Sequence, residues 1–191
     1  MILSETNYDK LKKLIEDKKN RELQCSKYLK FAKDLLIKDT LIDYINIENE
    51  RRLHLGRSDY VIIAKVVSFG DSTTRAYLWE LKAPQCHIFQ IDKGNKLKPS
   101  KYLNDAENKL LYYYHEMRKD GSILREEYEI SNTSDVRIGG IIIGSENNRV
   151  KGDLDEGEKI RRYHIARAVK DYLYGDKITL KTWTEVLNQL K

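Results

Sequence analysis

The sequence predicts a mixed α/β domain whose sheet core lies after residue 58. Three observations predict it. Stretches rich in lysine and acid, with apolar residues at helical spacing, open the chain and recur along it. β-Branched and aromatic runs flank a turn-rich segment between them, and a dense apolar block, Gly139-Gly140-Ile141-Ile142-Ile143, follows later. With two prolines and ten glycines in 191 residues the chain is not linker-rich, and one domain of ordinary size is expected.

Taken in order, residues 7–37 predict helix. Leu11, Leu14 and Ile15, then Leu23, Tyr28, Leu29, Leu35 and Leu36 recur at helical spacing, with a break near Asn20. Residues 40–52 predict another helix, with Leu41, Tyr44, Ile45 and Ile47 on its apolar side and Gly56 stopping the pattern. Residues 59–67 and 75–83 read as strands around turn chemistry at 68–74, which makes a β-hairpin ending at Pro84. Residues 85–98 look irregular. Ser100 caps a helix over 101–119, with Leu103, Ala106, Leu110, Tyr113, Tyr114 and Met117 along one side and Asp120-Gly121 ending it. Residues 136–144 predict a central strand buried on both faces, 161–173 a helix, 177–181 a short strand and 183–190 a closing helix.

Composition narrows the function classes. A net charge of +5 permits contact with nucleic acid without demanding it. Cys25 and Cys86 have no CxxC spacing, and free thiols are expected rather than a disulfide or a zinc site. His87, His115 and His164 form no metal-ligand spacing, and His54 reads as a surface histidine. The N-terminus shows no signal peptide, no run is long and apolar enough to cross a bilayer, and the cytoplasm is the expected location.

The hairpin carries the chemistry. With its turn centred near residue 71, Asp59 falls opposite the neighbourhood of Ala83, within one or two pairs of Glu80 and Lys82. Alternation sets Glu80 and Lys82 on one face and Trp79, Leu81 and Ala83 on the other. Two carboxylates converging there suit a hard divalent cation, Mg2+ or Mn2+, with oxygen ligands. Glu80 and Lys82 by themselves also fit a solvent-facing pair on an amphipathic strand.

Gly56-Arg57-Ser58-Asp59-Tyr60-Val61-Ile62, a gap, and then Trp79-Glu80-Leu81-Lys82-Ala83-Pro84 resemble the signature of the PD-(D/E)XK nuclease superfamily. More narrowly they resemble the nuclease domain of Shedu-type antiphage defence proteins. The stretches 105–113, 139–144 and 178–187 are similar to that domain's next helix, next core strand and closing strand and helix. The resemblance implies a restriction-endonuclease-like core over residues 51–191, with a mixed central sheet, a catalytic hairpin flanked by helices, and an N-terminal helical segment, 1–50, ahead of it. It also implies Mg2+- or Mn2+-dependent DNA cleavage by Asp59, Glu80 and Lys82, with metal ligands from Asp59, Glu80 and the backbone carbonyl of Leu81. Ser58 replaces the expected proline, Lys109 an expected glutamine, and Trp183-Thr184 an expected Tyr-Asp.

Further candidates are Glu50 and, behind it, Glu48, ahead of the hairpin, and Gln85, which could touch water or phosphate. Either glutamate also fits a solvated helix face. Arg149, Lys151, Arg161, Arg162 and Arg167 make the C-terminal half locally basic. Arg161 and Arg162 open the helix expected over 161–173, where positive charge is unfavourable unless a phosphate or the acids Asp155, Glu156 and Glu158 offset it. Of Tyr112-Tyr113-Tyr114, which could stack bases, two are expected in helix packing. The expected partner is DNA, with a homo-oligomer through the N-terminal helices or core also compatible. The alternative is a catalytically silent protein of the same fold that binds nucleic acid or a protein.

Overall fold

The computed structural model describes the backbone of residues 5–53, 56–68 and 70–190, and the side chains of these except residues 5, 6, 33, 47–53 and 56–59. The chain opens with α1 (Glu5–Glu16) and α2 (Glu22–Ser26), followed by two 3-10 turns over Leu29–Phe31 and Lys33–Leu36. Three long strands come next, β1 (Leu41–Leu53), β2 (Gly56–Ser68) and β3 (Asp71–Leu81), then the short β4 (Phe89–Ile91) and β5 (Leu97–Pro99). After α3 (Lys101–Arg118) and α4 (Ile123–Glu127) come β6 (Val136–Ile142), β7 (Val150–Lys151), α5 (Glu156–Tyr174), β8 (Thr179–Lys181) and α6 (Trp183–Gln189).

The fold is α/β. Its main sheet runs in the order β1-β2-β3-β6-β8, with β1, β2 and β3 antiparallel and β6 and β8 parallel. A second sheet, β5-β4-β7, takes β4 and β5 from the stretch expected to be irregular and β7 from residues 150–151. Because both faces of the main sheet are covered, Tyr60, Val61, Ile62, Ile63 and Ala64 are all buried and read as a continuous apolar run. Val61, Ile63, Ala76 and Leu78 face Leu103, Ala106 and Leu110 of α3, as its apolar stripe predicts. Tyr60, Ile62, Tyr77 and Trp79 face Leu11, Ile15, Leu29 and Leu36 of the N-terminal helices and Trp183 of α6. Ser100 caps α3 by accepting from the Leu103 amide, and Thr182 and Glu185 form a reciprocal cap on α6.

Two glycines in β6 record a close approach. A Cβ at Gly139 would lie 2.0 Å from Trp79 Nε1, and one at Gly140 would lie 1.9 Å from the Thr179 carbonyl oxygen. The indole thus sits flat against β6 and donates to the Leu36 carbonyl at 3.1 Å, fastening the helical layer to the sheet.

Three expectations need correction. Residues 41–53 form an edge strand, not a helix. Register shifts between Leu41 and Asp43 and between Tyr44 and Asn46 break the alternation, and the inward-leaning Leu41 and Tyr44 fall three apart, which mimics a helical repeat. The hairpin loop is two residues long rather than seven, because Ser72, Thr73 and Thr74 extend β3 and pair with Val67, Val66 and Lys65. Helix α5 begins at Glu156, capped by Asp155, so Arg161 and Arg162 lie past its first turn and both pair with Glu158. Helix α4 lies in a stretch for which the sequence predicts no element. Cys25 and Cys86 are free, as expected; both are buried, and burial pushes the Cys25 thiol up to about 12.

Arg75 sits at the turn end of β3 and is almost fully buried. It meets Asp39 and Asp135 at 2.9 Å each and donates to Ser68 Oγ at 2.6 Å. Tyr77 also donates to Asp39.

Candidate active site around Glu80 and Lys82

Strand alternation carries Ala76, Leu78 and Glu80 to the face that packs against α3, and Glu80 there is 0% exposed. An isolated carboxylate in such a place costs several kcal/mol, so its partners decide whether it stays ionised. Lys82, two residues on, sets Nζ 2.5 Å from Glu80 Oε1 and 3.3 Å from the Leu81 carbonyl oxygen. Its backbone is pinned on two sides. The Lys82 amide donates to the Ile142 carbonyl at 2.9 Å, and its own carbonyl accepts from Trp183 Nε1 at 2.7 Å. A second ammonium, Lys109 of α3, comes within 3.5 Å of the same Glu80 oxygen with its side chain half exposed.

Register gives Asp59 and Glu50 their places. The pair Tyr60↔Trp79, carried one step further, sets residue 59 across from Glu80. Between the pairs Asn49↔Tyr60 and Arg51↔Ser58, residue 50 falls across from 59. Positions 50, 59 and 80 therefore stand abreast on β1, β2 and β3. The two-residue turn moves the pairing by about three residues from the expected one, which had put Ala83 opposite Asp59. The side chains of Glu48, Glu50 and Asp59, and all of His54, lie outside the described residues.

No family model, curated protein or solved structure matches the chain.

The site's chemistry accordingly rests on its own residues. Among the described residues no three His, Cys, Asp or Glu side chains gather where they could hold a metal ion. Gln85 does not face solvent chemistry. Its amide oxygen accepts from Arg21 N at 3.1 Å, and its nitrogen donates to the carbonyls of Leu14 at 3.1 Å and Asp17 at 2.8 Å, so it ties down the end of α1. The basic residues of the C-terminal half are largely committed: Arg149 to Glu146, Arg161 and Arg162 to Glu158, and Arg167 to Asp171 and Glu185. Lys151 remains exposed. Tyr113 is buried, Tyr114 packs in part and accepts from Arg118 at 2.8 Å, and Tyr112 is exposed. His87 stands apart, its imidazole held below the usual range by burial and by Lys151 and Lys159.

Lys109 is the site residue that sequence reasoning missed, having noted it only as a departure from an expected glutamine. The available clue was its place beside the apolar stripe of α3, three residues after Ala106 and one before Leu110.

Proposed function

We propose that the chain is a metal-dependent endonuclease of the PD-(D/E)XK class that hydrolyses DNA phosphodiester bonds, in defence against phage, with Asp59, Glu80 and Lys82 as its working residues. One observation carries the reading: a fully buried glutamate at a strand end, paired with the lysine two residues on, with an aspartate one step beyond the pair Tyr60↔Trp79 on the neighbouring strand. Strand stability alone does not call for this, since strands are poor in Glu and Asp and a buried charge destabilises. A mixed sheet with its hairpin covered by helices on both faces agrees with the restriction-endonuclease-like core that the resemblance implies.

Asp59, Glu80 and the Leu81 carbonyl would hold Mg2+ or Mn2+, and these are the hard oxygen donors such ions prefer. The fit has support in the structure, because Glu80 already draws two cations, Lys82 and Lys109, to one oxygen. When bound, the ion supplies positive charge at the scissile phosphate and makes a water more acidic. Lys82 donates from a fixed point to the attacking water or a phosphate oxygen. Its pinned backbone and the ion pair with Glu80 hold that ammonium in place. Lys109, with its side chain half exposed beside Glu80, adds a second positive charge at the same site.

Plasmid and linear DNA incubated with and without Mg2+ or Mn2+ test the proposal. The wild type should cut only with metal, and Asp59→Ala, Glu80→Ala or Lys82→Ala should each abolish cutting while leaving the circular dichroism unchanged. Cutting that survives all three substitutions, or a wild type that never cuts, sinks it.

A specific observation favours a second reading, a protein of this fold that binds nucleic acid or a protein without cutting. Two ammoniums already neutralise Glu80. A mobility shift with no metal-dependent product on the same gel would select it.

A further inference from the structure

Helix α5 has two apolar faces and uses one. Tyr163 is buried in the core, and Ala166 and Tyr174 pack against it. On the other side Ile165 is 56% exposed, Val169 54%, Tyr172 85% and Leu173 69%. At 100° per residue these four fall within an arc of roughly 100°, its centre about 130° round the helix from Tyr163 and one edge adjoining Ala166. Beside them runs a groove of about 460 Å³ between α5 and the small sheet, lined by Phe89, Leu97, Pro99, Ile165, Val169 and Leu173.

Such a stripe is unusual on a surface that meets only water, since monomers seldom expose contiguous apolar patches beyond a few hundred Å². The four side chains present roughly 500 Å² at those exposures, so two copies face to face would bury on the order of 1,000 Å², the size at which specific interfaces begin.

The order of residues says what covers the stripe. It is antisymmetric about Val169, with Ile165 and Leu173 four residues to either side, and Arg162 and Asp176 seven residues to either side with opposite charge. We propose that α5 pairs antiparallel with α5 of a second copy of this chain, about a two-fold axis at Val169. Val169 then meets its own counterpart, Ile165 meets Leu173 of the second copy, and Arg162 faces Asp176 of the second copy. A parallel arrangement would set like charge against like. One patch serves both copies, as a two-fold contact requires. The rim does not oppose it: Lys170 is neutralised by Glu107 at 2.5 Å, and Arg162 is steadied by Glu158 at 2.7 Å and the Asn95 carbonyl at 2.7 Å. Asp176 lies exposed just beyond the helix, after Gly175 turns the chain at φ 55°. The dimer depends on none of the residues assigned to the candidate active site.

Sedimentation equilibrium of the intact chain over a series of protein concentrations tests the pairing. The wild type should pass from the mass of one chain to that of two as concentration rises. Val169→Asp places a carboxylate against its own symmetry mate and should hold the mass of one chain throughout, with unchanged circular dichroism. Arg162→Asp should weaken association at least about tenfold, and adding Asp176→Arg should restore it. A wild type of single-chain mass at every concentration overturns the proposal, whether the stripe is bare or belongs to some other partner. So does association that Val169→Asp leaves untouched, or a double exchange that restores nothing.

Discussion

Strand β3 buries a charge near each of its ends, and the two are solved differently. Arg75 takes its partners from distant parts of the chain. Asp39 follows the N-terminal helices and Asp135 precedes β6, and their side chains are only 30% and 14% exposed. A planar, permanently charged fork is well suited to satisfying two carboxylates and a hydroxyl at once. Among the described residues Glu80 instead draws one partner from two residues away on the same segment and one from a helix surface, with Lys109 half in water. Arg75 therefore fastens distant segments together, whereas Glu80 is met by a lysine of its own segment and by one from the helix packed over it. The contrast is between a charge tied to distant segments and one met mainly from nearby.

The sharpest way to break that contrast is Arg75→Ala. It strands Asp39 and Asp135 against each other and should cost about 3–5 kcal/mol, read from urea unfolding. A loss below about 1 kcal/mol would mean the cluster is not a fastening at all. At the other end Lys109→Gln should change stability by no more than about 0.5 kcal/mol, because that ion pair is half solvated. Under the nuclease proposal the same substitution should also tighten Mn2+ binding in a calorimetric titration, since one competing cation is gone. Unaltered Mn2+ affinity would remove Lys109 from the site.

The smallest effect tests what burial adds. Glu158, like Glu80, is bonded to two cations, but it lies on the surface, and hydrogen bonds from Arg161 and Arg162 hold its carboxyl down at about 2. Because the folded value is depressed, its contribution is complete above the ordinary value of 4.5 and fades as pH falls toward 2. Added salt should weaken it further. A carboxyl titration of Glu158 by NMR with its midpoint above about 4 would show that the paired arginines are not held in place.

Much of this was legible in the sequence, for local reasons. The hairpin, the Ser100 cap, the α3 stripe and the buried β6 run each carry their signal within a few residues. Edge strand β1 was misread because bulges convert its period of two into steps that resemble a helix. Strands β4, β5 and β7, at two or three residues each, are too short to show a period. At the site, Glu80 and Lys82 were recognisable from spacing, but their partner Lys109 lies 29 positions from Glu80 and meets it only through helix–sheet packing. Register was off because Ser72, Thr73 and Thr74 have turn-like chemistry and strand-like geometry. Gln85 drew notice through its nearness to Lys82, and only the folded chain reveals that its amide is already engaged.

That engagement has a mechanical consequence. Gln85 lies three residues beyond Lys82, and its side chain grips carbonyls and an amide across the corner between α1 and α2. The loop leaving the lysine is thus latched to the front of the molecule, some seventy positions earlier in sequence. Any pull that drew the first helices aside would tug the same latch, and the ammonium at 82 would feel it within one turn of chain.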